Sequence, residues 1–163
     1  MGANIMHQLA TATALFVALT GAAFGQDVRR INTCFEQFLA PLALPQLEAG
    51  IGLCDQIIND KATPDQRRGE AFAQRGLMYA RRWAILSITP LALQGISDLS
   101  EALRLHNPPM ERRHQLLYFR ATLFSGVGQM RRASADYATI LVEDPTNTAA
   151  RIAQERIGSQ PDF

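Results

Sequence analysis

At 163 residues, nearly half of them hydrophobic, the chain is one domain's worth of sequence with enough apolar mass for a continuous core, which excludes disorder throughout. Its 16 Lys and Arg nearly cancel 15 Asp and Glu, so the broad electropositive footprint of a nucleic-acid binder is excluded too. The pairs Arg67-Arg68, Arg81-Arg82, Arg112-Arg113 and Arg131-Arg132 are scattered at helix-sized intervals and read as solvated helix faces.

Residues 9–24 are apolar and small, broken only by Thr, and no Asp, Glu, Lys or Arg precedes Asp27. About sixteen residues is short for a bilayer span, and Ala23-Phe24-Gly25 supplies a small-x-small cleavage site, so residues 1–25 read as an export signal removed before Gln26. The positive charge ahead of the apolar run comes only from the amino terminus and His7, where Lys or Arg is usual. The alternative reading is therefore an uncleaved membrane anchor. Cys34 lies too far past the run for a lipoprotein anchor.

Export places Cys34 and Cys54 in an oxidising compartment, where two thiols allow one internal pairing, and a Cys34–Cys54 disulfide is expected. Pro41, Pro45 and Gly50 lie between them, which lets residues 27–39 form one helix and 45–59 the next, folded back antiparallel. Closing a loop of this size is worth roughly 3 kcal/mol in the chain-entropy model. A redox pair would want C-x-x-C spacing, and a metal site more Cys and His than the chain holds.

Three second helices align on a small residue, a bulky one a turn later, and an apolar pair after that: Gly50, Cys54, Ile57-Ile58; Gly95, Leu99, Ala102-Leu103; Ala133, Tyr137, Ile140-Leu141. First helices align on Gly76 with Tyr79 and on Ala121 with Phe124. The copies are offset by about 45 and about 38 residues, against about 34 in the usual two-helix repeat. Part of the excess is the linker around Pro108-Pro109. The rest is about seven residues between Arg82 and Gly95, close to two helical turns, which lengthen a hairpin without rotating either helix off its packing face. Thr89-Pro90 reads as an N-cap and first-turn proline of a helix running to about His106, and this hairpin is expected to protrude. After Asp144-Pro145, residues 148–157 form an amphipathic helix that closes the stack; Gly158 ends it, and residues 159–163 read as a flexible tail.

These features, with the unit from Leu116 to Pro145 that carries Tyr118, Ala121, Phe124, the Gly126-Val127-Gly128 turn, Ala133 and Tyr137, resemble the tetratricopeptide repeat, and exported bacterial members of that family in particular. The resemblance implies an all-α, antiparallel helix-hairpin solenoid of about three repeats plus a C-terminal capping helix, over residues 26–158. It also implies a non-catalytic scaffold or adaptor in the bacterial envelope, periplasmic or secreted, which uses no cofactor and binds another protein rather than nucleic acid. The alternative is a membrane-associated assembly factor tethered by an uncleaved N-terminus, and the third reading is an enzyme with a dispersed site.

Arg75 and Arg120 each precede the small residue of a first helix, while Asp98 and Asp136 each precede the bulky residue of the matching second helix. Packing is expected to bring Arg75 to Asp98 and Arg120 to Asp136 as structural pairs. His106 and His114 read as surface residues rather than ligands, so neither metal nor catalytic residues are expected. Two candidate partner surfaces remain. One is the inner face of the first helices, with Glu70, Ala73, Leu77 and Arg81 on one and Gln115, Tyr118, Thr122 and Ser125 on the next. The other is the apolar hairpin tip, with Trp83, Ile85, Leu86, Ile88, Leu91 and Leu93, through which weak self-association or membrane contact is possible; it either covers neighbouring repeats or stays exposed.

Overall fold

A computed structural model describes residues 44–159 as six helices with no strand among them: α1 Leu44–Asn59, α2 Asp65–Leu86, α3 Thr89–Leu105, α4 Met110–Gly126, α5 Met130–Glu143 and α6 Thr148–Gly158. The expected leader, the helix over residues 27–39, Cys34 with its pairing, and residues 160–163 lie outside the described residues.

Helices α1 to α5 each bury a stripe at helical spacing, and α6 buries Ala150. On α1 the stripe is Leu47, Gly50, Ile51, Cys54 and Ile57, and on α5 Ala133, Asp136, Tyr137 and Ile140. Short connections force consecutive helices to run antiparallel, and each packs chiefly on its neighbours in sequence, the pattern of stacked hairpins. Helix α2 also touches α4.

The core lies in three sections. Met78 of α2 joins Leu47, Ile51 and Cys54 of α1. Ala73 and Leu77 of α2 meet Leu99 and Ala102 of α3 and Leu116 and Leu123 of α4. Leu117, Ala121 and Phe124 of α4 meet Tyr137 and Ile140 of α5 and Ala150 of α6. Ile96 and Leu103 of α3 touch the second and third sections and link them.

The aligned small residues sit where backbones approach. A Cβ on Gly95 would lie 3.2 Å from the Gly76 carbonyl oxygen, and one on Gly76 2.9 Å from Leu99. The α2–α3 hairpin therefore closes as far as it does because both positions lack a side chain. At the α4–α5 turn Gly128 has a φ of 77°, a left-handed conformation that costs glycine little.

The extra residues of the second hairpin are helical almost throughout. Helix α2 has 22 residues against 17 in α4, and α3 has 17 against 14 in α5, with Ser87 and Ile88 left between them. Ser87 turns the chain in the left-handed region at φ 55°, its N–H donating to the Trp83 carbonyl at 2.7 Å. The Trp83 ring reaches Gly126 at the end of α4, and residues 84–90 beyond it are all exposed, so the hairpin projects past its neighbour.

Local expectations need correction. The N-cap of α3 is Ile88, with Thr89 already helical and Pro90 in the first turn, so no hydroxyl caps this helix. Ala73 and Leu77 are core rather than open surface, because α4 runs alongside α2 and covers that side. His114 is buried rather than exposed, since α5 supplies a carboxylate for it.

Two glycine variants should move stability in opposite directions. An Ala Cβ at Gly69 would meet the His106 Cβ at 2.6 Å and its backbone N at 3.2 Å, whereas no atom lies within 4 Å of one at Gly52. Both changes favour the helix by up to about 1 kcal/mol. Gly69→Ala must also displace backbone, an overpacking cost of about 1–3 kcal/mol, so thermal melting should fall for Gly69→Ala and rise for Gly52→Ala.

Candidate functional site

Two arginines knot the helices together. Arg75 on α2 donates from Nε and Nη2 to the two oxygens of Asp98 on α3, each at 2.7 Å, and from Nη1 to Asp55 on α1 at 2.5 Å. Arg120 on α4 repeats this: Nε and Nη2 donate to Asp136 on α5 at 2.8 and 2.7 Å, and Nη1 to the Ser100 hydroxyl on α3 at 3.1 Å. Asp55 follows Cys54 as Ser100 follows Leu99, so each arginine holds the aspartate of its own hairpin and the same register position on the preceding second helix. These backward partners could have been found by asking which polar residue follows each aligned bulky one.

The first knot is mostly buried, with Arg75 and Asp98 side chains 18% and 7% exposed. The hydrogen bonds to Asp98, and then to Asp55, hold the Arg75 guanidinium above its already high usual pKa, against the burial that would lower it. Burial lifts the Asp98 carboxyl above the ordinary aspartate value, with Arg75 pulling the other way. Phe72 lies under Arg75 at 5.4 Å, and Phe124 under Arg120 at 5.8 Å and Arg132 at 4.9 Å. All of these groups satisfy one another within the stack, and the arrangement is structural.

A second polar group bridges the first helices. Arg112 on α4 donates to Glu70 on α2 at 2.9 Å and to Gln115 at 2.5 Å, while Gln74 donates to the same Glu70 oxygen at 2.7 Å. Glu70 and Gln115 are thus brought together through Arg112. Thr122 donates to the Tyr118 carbonyl at 2.9 Å, so its contact with the Tyr137 hydroxyl at 3.1 Å has the tyrosine as donor. Burial raises the Tyr137 phenol's pKa, opposed by the Thr122 contact. Arg81 is half-buried.

The open space lies beside α4. A groove of about 340 Å³ is lined along α4 by Met110, Glu111, His114, Gln115, Tyr118 and Phe119, and opposite by Ile140 and Asp144 of α5's end and Asn147 and Ala149 at α6's start. Its size is at the lower end of ligand pockets, roughly 300–1,000 Å³. Tyr118 is held by edge contacts to Phe119 and Tyr137, at centroid distances of 6.1 and 5.5 Å. His114 Nε2 lies 2.9 Å from Glu143, which Arg113 also reaches at 3.1 Å. Asp144 accepts from the Thr146 hydroxyl and N–H at 2.7 and 3.0 Å, bonds that hold its pKa below the ordinary value. The Asn147 side chain caps α6, accepting from the Ala150 N–H at 3.0 Å.

Of the expected partner residues, Gln115 and Tyr118 line this groove, whereas Glu70 and Thr122 are engaged within the stack and Leu77 is core. The tip divides: Trp83 packs on the core and Leu91 is buried, while Ile85, Leu86, Ile88 and Leu93 are 52, 37, 48 and 47% exposed. Among the described residues, no group of three or more His, Cys, Asp or Glu could hold a metal ion. No family model matches this chain, and neither curated proteins nor solved structures give a match.

Removing one member of the first knot should be costly, because the Arg75 cation stays half-enclosed with only the more exposed Asp55. Asp98→Ala is expected to lower unfolding free energy by about 3 kcal/mol in denaturant melts. The double variant Arg75→Met/Asp98→Leu, which replaces the pair by apolar groups, should recover most of that loss.

Proposed function

We propose that this chain is a non-catalytic interaction scaffold of tetratricopeptide-like architecture that holds a segment of another protein in the groove beside α4. The observation that carries the reading is the groove itself: an open, partly aromatic cleft formed by three helices, with Gln115 and Tyr118 on its wall. Tyr118 offers a large contact area at small entropic cost, because its ring is already fixed by Phe119 and Tyr137. The ionisable residues that are strongly engaged elsewhere are paired within the stack, which suits recognition rather than chemistry. The leader-like residues 1–25 support export to the periplasm or beyond, where a Cys34–Cys54 disulfide would tie the segment before α1 to that helix.

A second docking surface is favoured by the tip, where four of the large exposed hydrophobic residues gather at one projecting turn. On that reading the protein is an envelope assembly factor that rests its tip on a membrane or on a second copy, with or without an uncleaved N-terminus. No described helix is long and apolar enough to cross a membrane.

Affinity capture of the tagged protein from its own cells, followed by mass spectrometry, separates the two readings. A partner lost with Tyr118→Ala and kept with Ile85→Ser/Leu86→Ser assigns the groove; the opposite pattern assigns the tip. Helicity by circular dichroism should be unchanged in the tip variant, whose side chains lie on the exposed turn outside the core sections. Partners indifferent to both variants would remove the scaffold reading in its present form.

A further inference from the structure

Resting on the groove reading, the lining also specifies the kind of segment that fits. The lining includes two carboxylates, Glu111 and Asp144, and no Lys or Arg, while the neighbouring Glu143 is matched by Arg113. Helix ends modify this charge only in part: the starts of α4 and α6 each contribute about half a positive charge, and the end of α5 about half a negative one. Two full negative charges therefore prevail, and Asp144 stays ionised because Thr146 holds its pKa down. The lining between them is apolar and aromatic, from Tyr118 and Phe119 on α4 to Ile140 across the groove.

His114, which also lines the groove, is engaged through Nε2 with the Glu143 carboxylate at 2.9 Å.

We propose that the groove takes a basic, aliphatic segment of a partner protein, an extended stretch in which Lys or Arg stands beside a large aliphatic residue. The cation lies toward Glu111 and Asp144, and the aliphatic side chain rests on Tyr118, Phe119 and Ile140. The volume of about 340 Å³ accommodates one or two such side chains and leaves the rest of the segment in solvent.

The test is selection of random linear peptides, displayed on phage, against the full chain, followed by affinity measurement of the enriched peptides on variants. Glu111→Gln/Asp144→Asn removes charge while preserving shape and the Asp144 turn acceptor. Ala149→Trp blocks the groove from an exposed position on α6, so it does not disturb the core. The expected result is enrichment of Lys or Arg next to Leu, Ile or Met, binding lost with Ala149→Trp, and affinity lowered about tenfold by the charge variant at low salt. Peptides without basic residues that are still lost with Ala149→Trp would overturn the charge assignment and leave the groove as the docking site. No enrichment, or peptides indifferent to Ala149→Trp, would overturn both.

Discussion

The Arg75 guanidinium touches carboxylates on two different helices, and that one cation fixes how α1, α2 and α3 lie side by side. Its fork geometry requires both Asp98 oxygens at once, so a slip of α3 along α2 by a single turn would strand the charge. Such a pair adds little net stability compared with apolar residues of similar size, because desolvation consumes most of the Coulombic gain. Its effect is on register: the apolar layer would tolerate sliding far better than a bidentate contact does. Arg120 applies the same constraint to α3, α4 and α5. Between them the two knots fix the relative placement of five consecutive helices.

Register then explains what the second hairpin can do with its additional length. Its extra residues extend α2 and α3 beyond the point where Trp83 meets Gly126, so the paired section keeps the same packing as in the shorter hairpin. Beyond that point α4 offers nothing to pack against. Ile85, Leu86, Ile88 and Leu93 are exposed because the stack ends below them, while Leu91 turns inward and is buried. Exposed aliphatics on a rigid projection lose little entropy on docking, which distinguishes them from the same residues in a mobile loop.

Much of this was legible in the chain. Small residues at Gly76, Gly95, Ala121 and Ala133 mark close helix contacts, and the repeated Arg and Asp positions bring Arg75 to Asp98 and Arg120 to Asp136. What periodicity could not give is the number of neighbours each helix has. A central helix such as α4 is apolar on more than one side, with Leu116 and Leu123 toward α2 and α3 and Leu117 and Phe124 toward α5. Leu77 looked like an open inner position only because the parallel packing of α4 on α2 is non-local. His114 looked exposed because Glu143, its partner, is 29 residues away. The groove was invisible for the same reason: its walls come from three helices, and only the α4 wall has a sequence pattern.

That division also bears on why the groove suits binding. Helix α4 is anchored from behind by two sections of the core, so the side chains it presents in front have little freedom left to lose. Tyr118 is braced by Phe119 and Tyr137, and the opposite wall is set by Asp144 and Asn147, whose side chains tie down the turn into α6. A site whose rotamers and loop are already ordered avoids about 0.5–1.5 kcal/mol for each side chain that binding would otherwise immobilise. The position of α4 in turn depends on Arg120, through Asp136 and Ser100. The polar knots and the groove are therefore successive parts of one construction, in which register among the helices holds the groove in shape.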